Sequence, residues 1–238
     1  MPLSDIKIPI MTAANAEWAS ETGTATTTAN TFTSITLRPK RIAAQCAISK
    51  MLLAQDTLDA AEHIKRDIVN ALVSKVQKTL LGSAAGTTTK PAGIFYGVTA
   101  HNITNYKDLC EAEALVEDSN VGMGGIKYLM SNHAKAALRS MIKGTNATGM
   151  VFERGEVDGT PAVWNSDIED SNYCVGDLSK IYFANFGNLD LTIDPFTLAA
   201  DGQIKLVINA YFDWAKALND QNVIVYGSIT EPEEEGNG

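Results

Sequence analysis

The chain has 238 residues, 45% of them hydrophobic, and a formal net charge of −9. That is material for one large domain or two small ones, able to bury roughly three-quarters of the unfolded surface. The acidic balance excludes a dedicated nucleic-acid reader, which needs a basic face; no apolar run approaches the ~20 residues of a membrane helix, and Met1–Ile10 lacks the basic start and long apolar stretch of a signal peptide.

The first segment has little core of its own. Two modestly apolar arms, Ile6–Trp18 and Phe32–Ile42, flank the polar, Thr-rich stretch Glu21–Asn30. Thr favours extended backbone, and Gly23 and Asn30 suit turns. Between Ala19 and Thr31 there is no large aliphatic side chain. A two-stranded ribbon alone is marginal in water. Such an arm either lies on something else, its own body or a neighbouring subunit, or is a loose surface loop; the residues alone leave both open.

Ile42–Leu53 reads as an extended segment leading into a long helix over Thr57–Leu81. The helix contains no Gly or Pro, and Leu58, Ala61, Ile64, Ile68, Leu72, Val76 and Leu80 recur at the three-and-four spacing of one buried face. Asp56 is a suitable cap and Gly82 a suitable stop. The loop Gly82–Lys90 lacks the spacing of a phosphate cradle, and Pro91 stands where a helix would begin.

A second helix is expected from Asn105 or Tyr106 to Glu117, with Leu109, Ala112 and Val116 inward. A turn at Gly122–Gly125, a strand over Ile126–Met130 and an Asn132-capped helix over His133–Lys143 follow. The glycines precede the strand, the reverse of a dinucleotide fingerprint. From Val151 the pattern is β. Asp158-Gly159 is a hairpin signal. Asp177, Tyr182 and Phe186 are placed in short strands. Leu189, Leu191 and Ile193 alternate, and after Asp201-Gly202 so do Ile204, Leu206, Ile208, Ala210, Phe212 and Trp214. With Lys205, Asn209 and Asp213 between them, the expectation is a long hairpin over 189–217 with one buried and one wet face. Val223–Ile229 is a last strand, and the tail with Glu231, Glu233, Glu234 and Glu235 reads as a solvated, disordered end.

Catalytic chemistry is hard to assemble. Cys46, Cys110 and Cys174 form neither a Cys-x-x-Cys pair nor a disulfide framework and read as buried free thiols of a reducing compartment. His63, His101 and His133 sit in different elements, with no His-x-x-x-His zinc pair. No Gly-x-Ser-x-Gly elbow is present. Asp167, Glu169 and Asp170 read as solvated turn residues, Asn146-Ala147-Thr148 as a chance sequon, and Glu62 with Arg66 as an i,i+4 pair of modest worth. The expectation is no enzyme activity, no cofactor and no metal site.

Several short motifs occur in a telling order. The polar loop Trp18–Arg41 precedes Ile42-Ala43-Ala44-Gln45-Cys46-Ala47-Ile48-Ser49-Lys50, then the long helix, then Pro91-Ala92-Gly93-Ile94. Lys127-Tyr128-Leu129-Met130-Ser131-Asn132, Asp158-Gly159-Thr160-Pro161-Ala162-Val163 and Val175-Gly176-Asp177-Leu178-Ser179 follow. Together they resemble the Hong Kong 97-type major capsid proteins of tailed bacteriophages over nearly the whole chain. The resemblance implies an α+β fold with a short N-terminal segment (1–17), an extended loop (18–41), and a peripheral domain (42–99 and 180–222) holding the spine helix 57–81 and the hairpin 189–217. An axial domain (100–179 and 223–230) and the acidic tail (231–238) complete it.

The function so implied is self-assembly as pentamers and hexamers into an icosahedral shell. The shell encloses double-stranded DNA without sequence-specific binding, as part of a virion assembled in the host cytoplasm and without membrane contact. Portal, scaffolding and decoration proteins are implied partners. Trp18, Glu21, Thr26, Phe32, Arg38, Lys40, Arg41, Glu62 and Arg66 are the subunit-contact candidates. Two departures stand out. Only residues 1–17 precede the loop, where the type member has a long arm. The loop tip Glu21–Asn30 has no lysine, so the type member's lysine–asparagine crosslink is not expected. Alternatives are an encapsulin-like compartment for protein cargo and a small cytoplasmic α+β enzyme.

Overall fold

The computed structural model describes residues 4–11, 18, 32–55, 60–119, 125–144, 149–169, 171–217 and 223–230. Glu21, Thr26, the Asp56 cap, most of the Gly122–Gly125 turn, the Asn146 sequon, Asp170 and the acidic tail lie outside them. Two sheets, each with helices packed against it, form the body.

The first sheet is built on the long strand β11 (Gln203–Lys216). On one side β11 pairs antiparallel with β3 (Lys40–Ser49). On the other it pairs with β9 (Ile181–Asn185) and β10 (Asp190–Asp194), placed end to end. The long helix α2 (Ala60–Leu80), about 32 Å of rod, lies on this sheet. Ile68 and Leu72 pack on Ile48, Leu206, Ile208 and Ala210, with Ile42, Ala44, Ile64 and Val76 at the margin. This is the face the 3.6-residue period marks; Glu62, His63 and Arg66 are exposed on the other.

Three local readings change. The extended segment ends at Ser49, whose hydroxyl accepts the Met51 N–H, and Lys50–Ala54 form the short helix α1. A capping serine there outweighs the apolar run that follows. Asp213 is not on a wet face: it is 4% exposed. Leu189, Leu191 and Ile193 are not core: they are exposed at the sheet edge. Leu191 and Ile193 share the core face with their partners Ile208 and Leu206, but the cluster under α2 includes no residue of β10.

The second sheet has the order β12 (Ile224–Ser228), β8 (Asn172–Gly176), β4 (Lys127–Met130), β7 (Thr160–Trp164), β6 (Glu156–Val157) and β5 (Phe152–Glu153). Helices α3 (Tyr106–Glu117) and α4 (Asn132–Ser140) pack against it. Tyr128, Met130, Tyr173 and Val175 meet Leu109, Ala112, Val116 and Leu138 in one buried cluster. The α3 start is a capping box, in which Asn105 Oδ1 accepts the Asp108 N–H at 3.1 Å and Asp108 Oδ2 accepts the Asn105 N–H at 3.2 Å. Helix α4 is capped by Ser131, one residue before the expected Asn132, with the Ala134 N–H held at 3.0 Å. Asp177 caps a short 3-10 turn rather than lying in a strand. Asp158 (φ 47°) and Gly159 (φ 89°) form the two-residue β6–β7 turn, both in the left-handed region such a turn requires.

Two links hold the sheets together. Ile94, Phe95, Cys174, Trp214 and Ile224 make a shared apolar cluster, and Trp214 Nε1–H donates to the Ala92 carbonyl at 2.7 Å. Asp167 accepts the Ser74 hydroxyl at 3.0 Å and sits 3.7 Å from Lys78 Nζ, so this loop is tied to the long helix rather than simply solvated. Of the cysteines only Cys174 is fully buried; burial pushes its thiol up to about 12, which keeps it an unreactive neutral thiol. Cys110 is exposed, contrary to expectation.

The hairpin turn is also tied electrostatically. Asp158 accepts the Lys143 ammonium and the Tyr106 hydroxyl, each at 2.5 Å. The Lys143 bond holds the Asp158 carboxyl below its usual range, and the same bond raises Lys143. A depressed carboxyl stabilises the fold above its unfolded value, and the effect is lost as pH falls through the folded one. Asp158→Asn, which tolerates the same backbone, should therefore lower the thermal midpoint at neutral pH. The difference from wild type should start to shrink near pH 4 and vanish only once the pH has passed below the depressed folded value. Parallel melting curves down to acid pH check this; a constant gap would contradict it.

Candidate assembly surface

The N-terminal segment forms a ribbon that is anchored at one end. Strand β1 (Ile6–Met11) pairs antiparallel with β2 (Phe32–Leu37), from Ile6 opposite Leu37 to Met11 opposite Phe32. The ribbon therefore draws in residues before the expected loop 18–41. At its base Leu37 is buried with Ala184 and Phe186, and Ile8, Ile35, Tyr211 and Ala215 pack around them. This is the second face of the first sheet, covered locally by the chain's own arm. Away from this base, among the described residues, Phe32 is 72% exposed and Trp18 fully exposed. Large aromatics left in water in this way mark surfaces that bind something.

Asp213 sits where the ribbon joins the body. Its carboxylate accepts the Arg38 backbone N–H and the Lys40 ammonium, both at 2.8 Å. The Lys40 and Asp213 side chains are 19% and 5% exposed. Of the expected contact residues, Lys40 is thus engaged within its own subunit. Arg38 is exposed and lies 3.4 Å from Asp5 across the ribbon. Arg41 is exposed and donates from Nε to Asn209 Oδ1 at 2.9 Å. Glu62 pairs with Lys65 at 3.6 Å, not with Arg66, which has no ion-pair partner among the described residues. Glu62 and Arg66 lie on the exposed face of α2, the other described candidates on the ribbon, the start of β3 and Trp18.

A third patch carries the apolar alternation that the sequence places in the hairpin's buried face. Leu189, Leu191 and Ile193 line the sheet edge and Phe196, 83% exposed, lies just beyond. The edge strand leaves backbone groups unpaired as well, a template for another chain. Among the described residues, no group of three His, Cys, Asp or Glu side chains could hold a metal ion, and no helix is long and apolar enough to cross a membrane.

The model of the Phage capsid family matches residues 4–228. The chain belongs to the phage capsid family. A major capsid protein of Halomonas phage phiHAP-1 is 25% identical over 207 residues, covering 84% of this chain and 34% of that protein. The chain thus spans about a third of the length of this curated relative. Among solved structures, a chain of Microbacterium phage Oxtober96 superposes with TM-score 0.77 at 15% identity, covering 97% of this chain and 88% of that one. A chain of Mycobacterium phage Bobi gives TM-score 0.75 at 15% identity, with 97% and 86% coverage. A chain from the capsid of a native GTA particle gives TM-score 0.67 at 15% identity, with 96% and 85% coverage. These likenesses establish a Hong Kong 97-type α+β fold. As a member of the phage capsid family the protein is a virion component, a capsid structural protein.

Proposed function

We propose that this capsid protein is the major shell subunit, assembling through its ribbon and sheet edges into pentamers and hexamers of an icosahedral shell around double-stranded DNA. The observation that carries the reading is the ribbon: grounded at Leu37 on its own body, with Phe32 and Trp18 left in water. Such an arm is suited to lie on a neighbouring subunit. Many modest contacts of this kind add up in a closed lattice. Residues 18–41 would be the overlapping loop, the first sheet with α2 the peripheral domain, and the second sheet the axial domain. Trp18, Glu21, Thr26, Phe32, Arg38 and Arg41 would lie at one boundary, and Glu62 and Arg66 at another. The net charge of −9 suits a wall that does not grip the phosphates it encloses. No catalytic role is assigned to any residue. Portal, scaffolding and decoration proteins would meet the assembled shell.

An encapsulin-like compartment shares the fold, but the family and the capsid proteins it resembles favour the phage shell. Electron microscopy of the expressed protein should show megadalton shells; a stable monomer or dimer under all conditions would count against assembly. Virion-derived particles should contain DNA, and protein-filled shells lacking it would favour the compartment. On a denaturing gel the shells should run as single subunits, because the loop tip has no lysine to crosslink. A covalent ladder would refute that part.

A further inference from the structure

One groove runs against the charge of the molecule. It has a volume of about 290 Å³, and Arg41, Lys75 and Lys90 line it, with Lys40 at its wall. Its floor is apolar, with Val76 and Phe212 among the floor residues. No carboxylate is among the lining residues, in a chain with nine more acidic than basic groups. Lys40 is neutralised by Asp213 behind it; the Lys75 and Lys90 side chains have no acidic partner among the described residues.

We propose that this groove receives the acidic segment Glu231–Glu235 of the chain's own C-terminal tail. Charge is the first reason. Glu231, Glu233, Glu234 and Glu235 form the densest acidic run in the sequence, and the groove concentrates cations. Position is the second. The last described residue, Thr230, donates its N–H to the Ile103 carbonyl, and Ile229 donates to Ser171 at 2.7 Å. The loop before Ser171 carries Asp167, which is bonded to Ser74 and paired with Lys78 on α2. Ser74 and Lys78 adjoin Lys75 and Thr79, and these two line the groove. The tail thus leaves the body from a segment linked through Asp167 to the helix that bears Lys75 and Thr79. Five extended residues reach roughly 17 Å. Exposed ion pairs are individually weak, but a tether holds the segment near its groove at an effective concentration in the millimolar range. Docked, the tail neutralises the cationic groove on the peripheral sheet and shields it from other polyanions, phosphate backbones included.

Carbodiimide coupling of the full-length protein at low salt tests this, with crosslinked peptides read by mass spectrometry. The expected products join Glu231–Glu235 to Lys75 or Lys90, and their yield falls at least about fivefold at ~0.5 M salt. Tail crosslinks spread equally to Lys107, an 83% exposed side chain on α3, would overturn the proposal, as would their absence at Lys75 and Lys90. Acetylation footprinting is the second measurement. Replacing the four glutamates by Gln should raise labelling of Lys75 and Lys90 about threefold with Lys107 unchanged. Unchanged labelling, or protection that arises only on adding a short double-stranded DNA, would show a phosphate site or open solvent instead.

Discussion

Asp213→Ala is expected to cost about 3–5 kcal/mol of subunit stability, the range for breaking a buried charged pair by removing one partner. The carboxylate holds the Lys40 ammonium and the Arg38 N–H at 2.8 Å each, and it is almost fully shielded from water. Its loss leaves a cation and a backbone donor together without an acceptor, and the second face of the sheet at this end opens. Denaturant unfolding of dissociated subunits measures the effect. Lys40→Met in the same background should recover part of the loss, because the unpaired charge goes with it, whereas Asp213→Asn retains only a neutral acceptor and should fall between. A loss below about 1 kcal/mol for Asp213→Ala would mean that the pair is not the anchor described. The consequence for assembly follows from position: the tie lies at the junction of β2 and β3, where the ribbon's direction is set. Shells of Asp213→Asn should form in lower yield and with more varied diameters than wild type.

Deletion of residues 19–31 is expected to abolish shells while leaving the subunit folded. Between Ala19 and Thr31 there is no large aliphatic side chain to contribute to a core, and seven residues, 12–18, remain to connect Met11 to Phe32. The thermal midpoint of isolated subunits should stay within a few degrees of wild type, and the fraction of protein in shells should fall by at least about tenfold, because each lost contact recurs throughout the lattice. Size-exclusion chromatography with electron microscopy reads the outcome. Shells at wild-type yield would remove the ribbon tip from the assembly mechanism. Phe32→Ala and Trp18→Ala, which keep the chain length, separate the aromatic contacts from the loop itself.

Much of the fold was legible where the cause is local. Ile64, Ile68, Leu72 and Val76 mark one helical face because a 3.6-residue period allows only one. Leu109, Ala112 and Val116 mark the inward face of α3 for the same reason, and Asp158-Gly159 predicts a tight hairpin because few residue pairs satisfy that backbone. The errors about burial were of one kind. Leu191 and Ile193 carry the same alternation as Leu206 and Ile208, yet only the latter pair lies beneath α2. Asp213 reads as a solvated position by pattern, but Arg38 and Lys40, more than 170 positions away, fold over it. The Lys78–Asp167 pair and the cationic groove likewise join residues that no window of sequence brings together.

The amino-acid sequence by itself determined most of the elements, the inward faces of the two longer helices, the absence of large aliphatic side chains between Ala19 and Thr31, and, through the order of its motifs, the family. These depend on backbone propensity, side-chain period and composition, which act over a few residues. Only the tertiary structure decided which apolar faces are covered and which are left at an edge, and which charges are tied within the subunit and which remain outward. Burial requires a partner surface from elsewhere in the chain.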